Sequence, residues 1–116
     1  LDPKSKHILI DAWGIPFEPL DDENYIRYAL EEMAKASGAT IVNWAKHKYS
    51  PQGISYVLLV SESHISIHTY PEEGYLAADI FTCGNTDPTK AIPVIERLFK
   101  PKLMTSKIII RGERLE

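Results

Sequence analysis

Apolar and polar positions change period several times along this chain, and each change marks an element. Lys6 to Trp13 alternates well enough to read as a strand, closed by Gly14 and Pro16. Asp21-Asp22-Glu23 then offers an N-cap and an acidic first turn. The helix that follows places Ile26, Ala29, Leu30 and Met33 on one face and stops at Gly38. Residues 39–49, rich in Thr, Ile, Val and Trp, read as a second strand, and Ser50-Pro51-Gln52-Gly53 as a turn. Ile54 to Glu62 and His64 to Tyr70 are further strands, with Tyr75 to Cys83 another after the Pro71-Glu-Glu-Gly74 turn. Asp87-Pro88 opens a second helix carrying Ile92, Ile95, Leu98 and Phe99, which Pro101 ends. Ser106 to Arg111 closes the order as a strand.

Strand, helix, four strands, helix, strand predicts an α+β fold, with a mainly antiparallel sheet and two helices on one face. At 116 residues the whole chain, 1–116, reads as a single domain. The sheet face without helices needs a cover, which predicts a partner subunit.

Composition narrows the partners. A net charge of −3, without a basic stripe interleaved with aromatics, predicts no nucleic acid. The apolar runs Tyr56 to Val60 and Ile108 to Ile110 are too short to cross a bilayer, and no export signal is expected. Cys83 is the lone cysteine, which excludes an internal disulfide and suits a reducing cytoplasm.

The chemistry concentrates in Ser61-Glu-Ser-His-Ile-Ser-Ile-His68. Strand parity points His64, Ser66, His68 and Tyr70 one way and Ile65, Ile67 and Thr69 the other. The plainest reading of that polar stripe is the solvated face of an edge strand. A shared metal is disfavoured, because two histidines four residues apart on a strand stand roughly 13 Å apart, too far for one zinc; no metal is expected. A Cys–His hydrolase, with Cys83 as nucleophile and His68 as base, has the residue types but no visible oxyanion hole. The third reading is self-processing. Ser63 Oγ attacks the Glu62 carbonyl and turns the amide into an ester. A base removes the Ser63 α-proton, elimination expels Glu62, and the dehydroalanine left behind hydrolyses to a pyruvoyl group and ammonia. His68, with an unperturbed pKa near 6.5, is a suitable base at neutral pH. Spacing alone leaves these readings open.

A longer pattern separates them. The order His47-x-Tyr49-x-Pro51-x-Gly53-x-Ser55, then Ser61-Glu-Ser63-His-x-Ser-Ile-His68-Thr-x-Pro71-Glu72, then Asp79-x-Phe-x-Cys83-Gly84 resembles the small prokaryotic S-adenosylmethionine decarboxylases. The resemblance implies a two-layer α/β sandwich whose protomers pair as a homodimer, with residues of both subunits lining each site. It implies cleavage between Glu62 and Ser63 into a β chain, 1–62, and an α chain, 63–116. Ser63 becomes the pyruvoyl cofactor that forms a Schiff base with the substrate. Ser55 and His68 assist processing, Cys83 is the proton donor, Glu72 holds the ribose hydroxyls, and Tyr49 and Tyr70 flank the adenine. The implied product is the aminopropyl donor for spermidine synthesis.

Two positions depart from the family pattern, which usually has phenylalanine where Tyr49 stands and tryptophan where Tyr70 stands. Both remain flat π-surfaces, and a sulfonium beside them gains roughly 0.5–2 kcal/mol. Alternatives to S-adenosylmethionine as substrate are ornithine or arginine, handled by relatives with the same processing core. A non-processing small-ligand-binding module is the alternative outside enzymes. His7 reads as structural and His64 has no assigned role. The acidic clusters read as solvated helix positions, and no acidic putrescine-binding site can be identified.

Overall fold

A computed structural model describes residues 4–61 and 63–114. Its strands are β1 (Ser5–Trp13), β2 (Ile41–Lys48), β3 (Ile54–Val60), β4 (Ser63–Tyr70), β5 (Tyr75–Cys83) and β6 (Leu103–Arg111). They form one six-stranded sheet in the order β2-β3-β4-β5-β1-β6, antiparallel at every junction. The helices are α1 (Phe17–Leu20), α2 (Glu23–Ser37) and α3 (Ile92–Phe99), with single 3₁₀ turns at Pro71–Glu73 and Pro88–Ala91. The predicted α+β architecture is therefore present, with a short extra helix before α2.

Alternation builds the core. Ile8, Ile10 and Ala12 of β1, Ile54, Tyr56, Leu58 and Val60 of β3, Ile65 and Ile67 of β4, and Leu76, Ala78 and Ile80 of β5 are all buried. They cluster with Ile26, Ala29, Leu30 and Met33 of α2 and with Ile95 and Phe99 of α3. Both longer helices therefore pack on one face of the sheet. Each large aliphatic side chain buried there contributes about 1.5–3 kcal/mol.

Local chemistry sets the ends of α2. Asp22 is its N-cap, accepting from the amides of Asn24 at 3.0 Å and Tyr25 at 3.1 Å, and Gly38 closes it in the left-handed conformation at φ 78°. Asp21 departs from the solvated role expected of it. It accepts from the Gly53 amide at 2.9 Å and from Lys48 Nζ at 2.9 Å, tying the start of α2 to the β2–β3 turn. The Gly53 amide, and then Lys48, hold its carboxyl below the ordinary carboxylate value. Gly53 itself sits at φ 109°, where a Cβ would lie 3.3 Å from the Thr69 carbonyl oxygen.

Two boundaries and one strand's place in the sheet differ most from the sequence reading. The last strand begins at Leu103 rather than Ser106, because β1 pairs with it as far as Trp13 opposite Leu103. The second helix opens as a 3₁₀ turn capped by Asp87 and becomes α-helical only at Ile92. The polar-striped strand β4 lies between β3 and β5, so it is an interior strand and not an edge. The predicted end of the strand before it, Glu62, falls outside the described residues.

Replacing Asp22 by alanine removes the cap and lowers unfolding free energy by about 1 kcal/mol, while Asp22→Asn retains most of it; urea titration followed by circular dichroism reads the difference.

Candidate active site

The face opposite the helices carries the functional side chains in rows. Register aligns Leu59, His64, Phe81 and His7 in one row, Val57, Ser66, Asp79 and Leu9 in the next, and Ser55, His68, Ala77 and Asp11 in a third. The same face leaves Leu59 48% and Leu103 60% exposed.

At one end of this face lies a cavity of about 380 Å³ lined by Tyr49, Gln52, Ser55, His68, Tyr70 and Glu72. Ser55 Oγ is 2.9 Å from His68 Nδ1, and the Tyr49 hydroxyl is 3.1 Å from Ser55 Oγ. With the imidazole proton on Nδ1 and donated to Ser55 Oγ, Nε2 keeps a free lone pair and the Ser55 hydroxyl proton stays available to another acceptor. The His47 ring meets Tyr49 at 4.6 Å, edge-on. Tyr70 lies 5.5 Å from Tyr75, which lies 5.5 Å from Trp13, so three rings run together along the sheet end. The Tyr75 hydroxyl donates to Asp11, and that bond, with burial behind it, pushes the Tyr75 pKa up to about 12. Gln52, Tyr75 and Trp13 had no role in the sequence reading. The period-two alternation of β5 could have placed Tyr75 on this face, but not beside Trp13.

Cys83 occupies the opposite end. It is half-buried, forms no disulfide, and lines a second hollow of about 260 Å³ with Thr82, Gly84, Lys4 and Lys6. Ser63 begins β4 opposite Val60, and because the next residue, His64, pairs with Phe81, Ser63 sits beside Thr82 and next to the thiol position. Glu62 lies outside the described residues.

Fixed strand spacing holds the two ends apart. His68 lies five residues beyond Ser63 on β4, about 17 Å along the strand at roughly 3.3 Å per residue. Tyr75 and Cys83, eight residues apart on β5, are separated by about 27 Å. One chain thus brings Tyr49, Ser55, His68, Tyr70 and Glu72 together, and puts Ser63 and Cys83 at the same far end of the sheet, Ser63 with the parity of core-facing Ile65 and Cys83 with that of Asp79 on the open face.

Between the two ends stands Asp79. His7 Nε2 lies 2.7 Å and His64 Nε2 2.8 Å from its Oδ2, while the Ser66 hydroxyl donates to Oδ1. Burial pushes the Asp79 carboxyl up, but the bonds from Ser66, His7 and His64 outweigh it and hold the group below the ordinary carboxylate value. The Arg111 guanidinium, 4.7 Å above the Phe81 ring, lies 3.4 Å from His7 Nδ1. Arginine only donates, so His7 keeps its proton on Nε2 and gives it to Asp79. The ligand-type atoms of His7, His64 and Asp79 all lie within 4.8 Å of one another, a set that the His64/His68 spacing does not foreshadow. The sequence signal was weak here, since His7 is 72 residues from Asp79.

Comparison with known proteins decides the family. The family model described as S-adenosylmethionine decarboxylase matches residues 6–112. The chain belongs to the S-adenosylmethionine decarboxylase family. It is 45% identical to S-adenosylmethionine decarboxylase proenzyme 2 of Bacillus cereus, over 92% of this chain and 88% of that one. It is 47% identical to the S-adenosylmethionine decarboxylase proenzyme of Methanococcus maripaludis, with the same coverage of both chains. The crystal structure of the adenosylmethionine decarboxylase from Aquifex aeolicus superposes with a TM-score of 0.88 at 32% identity, covering 100% of this chain and 97% of that chain. Among the described residues no helix is long and apolar enough to cross a membrane.

S-adenosylmethionine decarboxylases made as proenzymes are pyruvoyl-dependent, the group arising from one of their own serines after cleavage. The residues present fit such a group. Ser63 opens β4 at the end of the sheet where β5 closes in Cys83, and a hollow of about 260 Å³ lies against that thiol.

The depressed Asp79 pKa makes the carboxylate a stabilising group above the unfolded value near 3.9, and that contribution fades as pH falls through the lower folded value. Asp79→Asn is therefore less stable than the unchanged chain at pH 7, and the gap narrows below about pH 4; urea titrations at pH 7 and pH 3 read it.

Proposed function

We propose that the chain cuts itself between Glu62 and Ser63, giving a β chain of residues 1–62 and an α chain of residues 63–116, and then decarboxylates S-adenosylmethionine in sites shared by two copies. The observation that carries this reading is the separation of the Ser63–Cys83 end from the Tyr49–Glu72 pocket by about 17 Å or more along rigid strands. A second copy laid face to face on the uncovered sheet supplies the missing half. Leu59, Leu103 and Ile109, exposed on that face, give such a homodimer its apolar contact.

Each residue has a task its chemistry allows. In processing, the Ser55–His68 pair of one copy meets the junction of the other. His68 offers a neutral imidazole to take the Ser63 α-proton, and the Ser55 hydroxyl donates to the ester-stage oxygen. In catalysis, Tyr49 and Tyr70 present ring faces to the adenine and the sulfonium, and Glu72 accepts from the ribose hydroxyls. The pyruvoyl group supplies a carbonyl that takes up the substrate amine and draws electrons as carbon dioxide leaves. Cys83 carries the thiol that delivers a proton to the substrate α-carbon. The product is the aminopropyl donor for spermidine synthesis. The lone thiol suits a reducing compartment such as the cytoplasm.

On a denaturing gel the purified chain resolves into fragments matching 1–62 and 63–116, and Ser63→Ala leaves it whole; an uncut active chain would refute the reading. Cys83→Ala processes fully yet decarboxylates S-adenosylmethionine about 10²–10⁴-fold more slowly. Ornithine and arginine, offered instead, are turned over far less well than S-adenosylmethionine. Mixing and reannealing Cys83→Ala with Glu72→Ala restores about a quarter of full activity, since half the dimers are mixed and each mixed dimer holds one whole site. No recovery would place the site within a single chain.

A further inference from the structure

We propose that Asp79, acting through His64, is the anchor that holds the new chain end at Ser63 against β5 once the chain has been cut. The inference rests on the self-cleavage reading and assigns work to a cluster that the reaction itself leaves unused.

Before cleavage, β4 is tied to β3 through Ser61 and Glu62, and the Ser61 amide donates to the Thr40 carbonyl at 2.8 Å. After cleavage, Ser63 becomes a chain terminus at the first position of a strand. Strand termini open at almost no free-energy cost unless a side chain ties them down. A slip of one residue moves the terminal carbonyl by about 3.3 Å, whereas a reacting group must be held to within about 0.5 Å. Its neighbour Ile65 is buried in the core, but on the other face of β4.

His64 is the first residue after the cut with a side chain on the open face, and it is fastened. Its Nε2 lies 2.8 Å from Asp79 Oδ2 on β5, the strand that ends in Cys83. A tether on that strand makes the chain end and the thiol move together. Asp79 is itself held from two other sides, by His7 of β1 on the same oxygen at 2.7 Å and by Ser66 on the other oxygen. His64 and Asp79 are positioning residues in this account, not groups that touch substrate.

The competing explanation is that the cluster merely stabilises the sheet, in which case it protects β4 equally with or without the cut. Amide hydrogen exchange of residues 64–67 separates the two, measured in cut wild-type chain, cut Asp79→Asn, uncut Ser63→Ala and uncut Ser63→Ala with Asp79→Asn. The anchor predicts exchange about ten-fold faster or more in cut Asp79→Asn than in cut wild type, with less than about a two-fold change between the uncut pair. Equal acceleration in both pairs, or none in the cut pair, overturns it. His64→Leu, which removes the tether and leaves the other Asp79 bonds, repeats the test if Asp79→Asn does not fold. Folded variants that both fail to cut also overturn it, because the cluster would then act before cleavage. A wild-type chain that stays whole on the gel fails the self-cleavage reading first and the anchor with it.

Discussion

The alternation of side chains across one sheet, with helices on only one of its faces, is the constraint from which the rest of the protein follows. Every strand from β1 to β5 except β2 buries alternate residues against α2 and α3, and the intervening residues have no choice but the opposite face. Ile65 and Ile67 are driven into the core by the same geometry that sends His64, Ser66 and His68 outward. The hydrophobic effect thus orients the polar groups without touching them.

Hydrogen-bond register then turns that face into a grid. Strands are stiff and their rise is constant, so residues at opposite ends of β4 or β5 cannot approach one another without breaking the ladder. The aromatic and carboxylate pocket therefore stands at one end, and the serine and thiol at the other. A protein with a loop-built site could have folded one end over the other; this sheet cannot. The pairing of two copies proposed above answers that separation, and Leu59, Leu103 and Ile109 leave apolar surface on the face it would use.

The Asp79 cluster shows how buried polar groups are tolerated on such a face. A half-buried carboxylate is costly alone, but here three donors converge on it, His7 from β1 and His64 and Ser66 from β4, so it stays ionised. Its tie to His64 crosses from β4 to β5 one residue after Ser63. The Asp21 bonds to Gly53 and Lys48 do similar work at the other end, fastening the turn that borders the pocket to the start of α2.

Much of this was legible in the order of residues. Period-two and helical patterns located both long helices and all six strands, because burial of alternate or every third and fourth residue is a local property. The dense run from His47 to Gly84 resembled the family closely enough to name it, and the family match bore that out. What the chain order could not show was distance between elements. It offered an edge strand as the plainest reading of β4, read Asp21 as solvated, ruled out a metal shared by His64 and His68, and left His7 structural and His64 without a role. The tertiary structure put β4 in the sheet interior, bonded Asp21 to a turn, and placed His7 and His64 on the same carboxylate. It also showed that Ser63 and His68 of one chain do not meet. The physical reason is the same in each case: periodicity determines which way a side chain points, whereas strand order and register decide what it meets.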